Sequence, residues 1–229
     1  MNFQETLLER TTEQREYLLA SPIIQRALAG DITRELYIEF LTQAFHHVRH
    51  TVPLMMAVRS RIPERLAWLQ QEILHYLEEE EGHDQWILDD IEAAGGNRAA
   101  AARSQPDLAT DAMVAFAYDM VARRNPVGFF GMVHVLEGTS VALALRAADR
   151  VQAALVLPNR AFTYLRSHGT LDQQHVHHLA GILNRLDGDD DREAVVRCAQ
   201  SIYWLYANMF RRLDRGARAA GGEPLRRTA

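Results

Sequence analysis

The sequence predicts an all-α protein, a single-domain bundle of about seven to eight helices over residues 1–220 followed by a flexible tail, 221–229. Three observations carry this. Apolar residues recur at helical spacing through long segments. Glycine and proline, 13 and 7 in 229 residues, are scarce and sit between those segments. No segment alternates like a strand for long; ALVLPNR, residues 154 to 160, is the only β-like run, too short and isolated to build a sheet.

The expected helices run over about 3–20, 21–29, 33–61, 64–94, 107–124, 127–155, 159–187 and 190–219. Several ends carry start or stop chemistry. Asp31 or Thr33 can cap the third helix, with Glu35 in its first turn. Ile62-Pro63 ends it, because a residue before proline avoids the α region. Gly95-Gly96 ends the fourth, and Asn125-Pro126 starts the sixth with proline in the first turn. DGDDDRE closes the seventh and opens the last with acidic residues at its positive end. The segment NRAAAARSQPDLAT, 97 to 110, reads as a loop.

Bulk composition excludes several classes. Hydrophobic residues at 48% and charged residues at 24% suit a soluble globular chain that buries a sizeable core. A net charge of −5 leaves no basic footprint for nucleic acid, although the tail GEPLRRTA is locally basic. A lone cysteine, Cys198, allows no internal disulfide and no thiolate zinc site. The polar, acidic start MNFQETLLERTTEQ is unlike a targeting leader, and no run of about 18 apolar residues appears, so the expected setting is the cytoplasm, with no membrane span.

Histidine is the anomaly: all ten lie between His46 and His178. In HGTLDQQH, residues 168 to 175, His168, Asp172 and His175 fall within about 60° of one another on a helix, while His177 points to the opposite face. In HYLEEEEGHDQW, residues 75 to 86, Glu80 and His83 are an i, i+3 pair and Glu79 and His83 an i, i+4 pair, while Leu74, Leu77, Trp86, Ile87 and Leu88 mark a buried side. The third stretch, GFFGMVHVLEGTSVALAL, residues 128 to 145, is almost wholly apolar yet holds His134 and Glu137. An ionised carboxylate there costs several kcal/mol unless paired or metal-bound. Gly138 is expected to leave room beside Glu137, and Gly169 to distort its helix. Each stretch alone also reads as a solvated stripe, a buried ion pair or a core histidine.

Together they offer Glu80, His83, Glu137, His168, Asp172 and His175 from three long helices, three imidazoles and three carboxylates with no thiolate. Such ligands suit iron or manganese, and carboxylates can bridge two ions; a single tetrahedral zinc needs fewer.

This combination resembles the heme-oxygenase-like diiron oxidases, also described as iron-containing redox enzymes, which share their fold with heme oxygenase, thiaminase-like proteins and pyrroloquinoline quinone synthase. The family pattern is a carboxylate and histidine on one core helix, a glutamate on the next and His-x-x-x-Asp-x-x-His on a third. It is matched here by Glu80 with His83, Glu137, and His168, Asp172 and His175, with intervals of 54 and 31 residues. The resemblance spans about Phe40 to His178 and implies a heme-oxygenase-like bundle holding two iron ions and no heme. It further implies use of O2 to oxidise a small-molecule substrate (a fatty acid, amino acid or amine), with room for an external electron donor and for a homodimer. One departure concerns the extra glutamate that some members carry seven residues before the first-helix histidine, where this chain has Tyr76. Glu79 and Glu72 could substitute, and His46, His47 and His50 could supply a further ligand or a hydrogen-bond partner to one. His134 reads as such a partner or as core. The substrate pocket would draw on Phe45, Met55, Met56, Trp86, Phe129, Phe130 and Met132.

Related activities fit less well. A thiaminase needs a cysteine nucleophile, and Cys198 lies among core residues of the last helix; heme oxygenase would place its proximal histidine near the N-terminus, where none precedes His46. A metal-free small-molecule-binding bundle and a dimetal hydrolase remain alternatives that metal analysis separates.

Overall fold

Residues 1–220 are described by the computed structural model, with the side chains of Leu171, Gln173 and 214–220 excepted; the expected tail, 221–229, lies outside the described residues. Within them there is no strand. The β-like run ALVLPNR is instead a helix end, a left-handed Val156 and a 3-10 turn over Asn159–Ala161.

The helices follow the expected periodic segments but break more often. The first segment splits into α1 (Phe3–Arg10) and α2 (Thr12–Leu19) at Thr11, whose hydroxyl donates to the Leu7 carbonyl at 2.7 Å. α3 (Pro22–Ala29) ends at Gly30, which is left-handed with φ +77°. The third segment becomes α4 (Arg34–Val48), capped by the Thr33 side chain, and α5 (Thr51–Arg59). Pro53 explains that break, since it has no N–H to offer residue 49 and its ring clashes with that residue's carbonyl. The fourth becomes a 3-10 turn over Glu64–Leu66, α6 (Leu69–Glu80) and α7 (His83–Ala93). Here the chain turns at Glu81 and Gly82, and Gly82 has φ +86°. Part of the expected loop is α8 (Arg98–Arg103), four alanines with the Asn97 side chain accepting the Ala100 N–H at 2.9 Å.

Three long helices form the frame. α9 (Leu108–Arg123) leads through a 3-10 turn, Pro126–Gly128, into α10 (Phe129–Leu155). α11 (Thr163–Arg185) and α12 (Asp189–Ala220) pack along α10 on separate sides. By length and composition the stretch Pro126–Leu155 could cross a membrane, contrary to the sequence expectation, but 67% of its apolar window is buried in the protein. It is the core helix of the bundle.

Glycine sets how closely these helices approach. A Cβ at Gly131 would collide with the Val195 carbonyl oxygen of α12 and sit 2.7 Å from the Ala199 nitrogen. At Gly169, on α11, it would sit 2.6 Å from Leu145 Cγ of α10. Gly169 therefore does not distort α11, which runs unbroken; it lets α10 and α11 touch. Gly138 has no such role, because a Cβ there meets nothing within 4 Å.

These placements predict opposite outcomes for one chemical change. Gly131→Ala should destabilise the protein by about 1–3 kcal/mol through overpacking, lowering Tm by about 2–4 °C per kcal/mol. Gly138→Ala should be neutral or stabilising by up to ~1 kcal/mol from helix propensity. Thermal denaturation of the two variants checks this, and equal losses would contradict it.

Candidate metal centre

Four helix segments deliver the polar groups. Glu80 is the last residue of α6 and His83 the first of α7; Glu137 lies about a third of the way along α10, and His168, Asp172 and His175 lie on α11. All but His168 are buried, and His168 is half-buried. The Glu80–His83 contact, Oε2 to Nδ1 at 3.0 Å, is made across the helix break at Gly82, not on one continuous helix face.

α11 is held in place by a residue that the sequence did not single out. Asp90, fully buried on α7, accepts the backbone N–H groups of Thr163 at 3.0 Å and Tyr164 at 2.8 Å. Those first-turn donors have no partner inside their own helix, so α7 caps α11 from across the bundle. Burial pushes Asp90 up to about 6, against the pull of those N–H groups. Asp90 lies between the apolar Leu88 and Ile91, and that setting was the available signal.

The groups form two clusters with one shared member. One ligand atom each from Glu80, His83 and His168 lies within 4.8 Å of the others, and the His83 and His168 rings stand nearly perpendicular, 4.9 Å apart. His175 centres the second cluster. Its Nδ1 is 3.5 Å from Glu137 Oε1 and 3.4 Å from Asp172 Oδ1, and its Nε2 is 3.0 Å from Glu79 Oε2. Asp172 Oδ1 is also 3.5 Å from His168 Nδ1, so it faces both clusters. Tyr76 supports the second, with its ring edge against His175 and its hydroxyl directed at the His175 carbonyl at 3.4 Å.

The contacts of His175 with Glu137, Asp172 and Glu79 are close but are not aligned as hydrogen bonds. His168 Nε2, both His175 nitrogens, Asp172 Oδ1 and Glu137 Oε2 are buried without a hydrogen-bond partner. Buried polar atoms are rarely left so. Gathered in one place, and composed of imidazole nitrogens and carboxylate oxygens, they are the donor set a divalent cation takes. The residues present therefore fit iron.

Electrostatics divide the carboxylates. Burial, then Asp172, Glu80 and Glu79, push Glu137 well above its ordinary value. Burial also pushes Asp172 up, but His168 and His175 outweigh it and leave Asp172 below its ordinary value. Both histidines rise in turn, because Asp172 outweighs their burial. Without a cation, the surroundings of Glu137 favour its protonated form.

Other expected participants lie elsewhere. Glu72 is 3.1 Å from His178, toward the edge. His50 bonds the Tyr118 hydroxyl at 3.1 Å and His46 the Ser104 hydroxyl at 2.8 Å. His134 packs edge-on against Tyr203, and burial lowers it to about 4. His75, which the sequence reading passed over, approaches Glu79 at 3.5 Å. On α11, His177 and Gln174 are exposed, in contrast to His175.

A cavity of about 160 Å³ opens from the centre, with Glu80, Glu137, His168, Asp172 and His47 at its polar end. Met55, Phe129 and Met132 line it as expected. Four other expected pocket residues do not: Phe130 is core, Phe45 lies under Arg49, Trp86 stacks on the His83 ring at 4.1 Å, and Met56 is 53% exposed. The wall comes largely from α3, α4 and α10 instead, with Tyr164 and Tyr206 near the polar end. Those tyrosines carried no sequence signal beyond ordinary apolar spacing.

Residues 38–207 match the model of a family described as iron-containing redox enzymes. No curated protein matches. Among solved structures, a domain with a heme-oxygenase-like fold from Shewanella denitrificans superposes with TM-score 0.85 at 22% identity, covering 100% of this chain and 99% of that one. A TenA homologue from P. horikoshii superposes at 0.78 with 11% identity over 94% and 100% of the chains. Heme oxygenase-1 from Synechocystis, in complex with heme, does so at 0.76 with 14% identity over 97% and 96%. These identities show the fold, which is heme-oxygenase-like.

The raised Glu137 yields a signed expectation. Folding lifts its pKa, so the metal-free folded protein binds a proton that the unfolded chain releases, and stability falls as pH rises above the ordinary value of 4.5. Glu137→Gln should flatten that fall and stabilise the metal-free protein at neutral pH by roughly 1–3 kcal/mol. Urea denaturation at pH 5 and 7.5 reads it; a variant less stable than the parent at both pH values would show Glu137 ionised and paired.

Proposed function

The chain belongs to the iron-containing redox enzyme family, and from that premise we propose that it is a non-heme dinuclear-iron oxidase that uses O2 to oxidise a small organic substrate. The observation that carries this reading is the convergence of six imidazole and carboxylate side chains, with five of their donor atoms buried and unpartnered. Glu80, His83 and His168 would hold one iron, and Glu137 and His175 the other, with Asp172 between them. Glu79, 3.0 Å from His175, would be a further ligand on the second side. Bound iron supplies the redox equivalents and the site where O2 is activated. An external electron donor would be a partner where the substrate itself does not supply the electrons.

The protein's own part is to bind, orient and keep dry. Tyr76 positions His175, with its ring packed edge-on against the imidazole and its hydroxyl donating to the His175 carbonyl. Asp90 holds the register of α11 and hence of all three of its ligands. The apolar cavity excludes water and has room for an aromatic ring or a chain of about six to eight carbons, by comparison with cavities of ~150 Å³ that take benzene. A fatty acid, amino acid or amine of that size, entering with its polar end toward Glu80 and Asp172, fits.

A thiaminase-like reaction does not suit this chain. Cys198 is 1% exposed against α10, and burial pushes its thiol up to about 12, so no thiolate nucleophile forms near neutral pH.

Protein produced in iron-rich medium should contain about two irons per chain, the number of ions a dinuclear site holds. Zinc would point to a dimetal hydrolase, heme to an oxygenase of the heme type, and neither to a small-molecule-binding bundle. His175→Ala and Asp172→Ala should each lose bound metal, while His177→Ala, two residues from a ligand but exposed, should retain it. Adding Fe(II) or Mn(II) at 100 times Kd should stabilise the metal-free protein by about 2.7 kcal/mol and release protons. An unchanged Tm across that titration contradicts the site.

A further inference from the structure

One imidazole in the cavity wall, which the sequence offered as a further ligand or a partner to one, belongs to neither of the two clusters. His47, on α4, is 3% exposed, and neither ring nitrogen has a hydrogen-bond partner. Its neighbours on the chain, His46 and His50, are both partnered, by Ser104 and Tyr118. His47 instead faces the cavity at the end that holds Glu80, His168 and Asp172, its ring edge-on to Tyr206 at 5.8 Å. Burial, reinforced by His168, keeps the ring neutral. A neutral imidazole offers one N–H donor and one acceptor. Both are idle here, in a wall otherwise built to pack against hydrocarbon, and a buried polar group left idle destabilises the fold unless a ligand uses it.

We propose that His47 is a substrate-binding residue, donating its ring N–H to an oxygen of the substrate's polar head while the apolar remainder lies along Ile24, Leu28, Leu36 and Leu143. The preference for an oxygen head rests on the oxidase reading. Divalent ions at the polar end would attract an oxygen lone pair and repel an ammonium, which favours an oxygen head over an amine. The substrate class is then a short amphiphile with an oxyanion or carbonyl head, and His47 selects for that head.

The test uses Mn(II)-loaded protein, with octanoate and octylamine as probes of equal length and opposite charge. Metal content and the dissociation constant by calorimetry are measured for the parent, His47→Leu and His47→Gln. Octanoate should bind the parent more tightly than octylamine does. His47→Leu should weaken octanoate about 10-fold or more, the scale on which a site built to hydrogen-bond a ligand suffers from a lost donor. His47→Gln, which keeps an N–H donor, should recover most of that loss, and both variants should keep the parent's manganese. Equal octanoate affinity in the parent and His47→Leu overturns the proposal, as does absence of saturable octanoate binding to the parent. Loss of manganese from His47→Leu also overturns it, by making His47 a ligand. Failure of the parent itself to take up manganese overturns the dinuclear reading instead, and His47 is then judged by the same ratio of octanoate affinities in metal-free protein. Should His47→Leu not fold by circular dichroism, His47→Phe replaces it under the same criteria.

Discussion

The burial of three carboxylates against three imidazoles in the middle of an apolar bundle is the constraint on which the rest of this protein depends. Glu80, Glu137 and Asp172 are each less than a tenth exposed. Charges so placed lose their hydration, and among the described residues the ion pairs of the group are with histidines. The imidazoles neutralise part of it: Asp172 stays below its ordinary value because His168 and His175 share it. Glu137 has no such surplus and is pushed the other way. A centre strained in this sense is stabilised by a cation, and its stability and its metal affinity are therefore one quantity seen from two sides.

Holding such a centre requires helices whose positions are set independently of it. Gly131 brings α10 into backbone contact with α12, and Gly169 brings α11 against Leu145 of α10. Asp90 ties the N-terminus of α11 to α7, the helix that also begins with His83. Two helices that carry candidate ligands are thus joined by a capping carboxylate about two turns from His83 and one turn from His168. A second carboxylate, Asp191, at the start of α12, is 1% exposed and joins that helix to Arg65 and Asn125. These devices lie outside the metal cluster and fix the frame in which it forms.

The cavity extends the same logic to a ligand. Its wall is aliphatic over most of its length and polar at one end, where Glu80, His168, Asp172 and His47 meet Tyr164 and Tyr206. An apolar sleeve gives little discrimination between chains that differ by a methylene. Buried groups that demand a hydrogen bond discriminate far more strongly, so the polar end is where selection occurs.

Much of this was legible in the sequence. Helical periodicity gave an all-α bundle, and helical arithmetic placed His168, Asp172 and His175 on one buried face with His177 outside it. The spacing of imidazoles and carboxylates along three apolar segments identified the groups that meet, because a titratable residue in an apolar helix must find a partner somewhere. Local rules also contained signals that the periodicity overrode: Pro53 breaks what looked like one helix, and Gly82 separates Glu80 from His83, which pair across a turn. Tertiary structure alone decided the rest. Glu79, not Glu72, approaches His175; His47 faces the cavity while His50 and His134 do not; Met55 and Met132 line it while Phe45 and Phe130 fill core. The physical reason is that a residue's face on its own helix follows from a period of 3.6, whereas what that face meets depends on how close and at what register two helices pack. That is set by long-range contacts such as Gly131 on Val195 and Asp90 on Thr163, which no local pattern encodes.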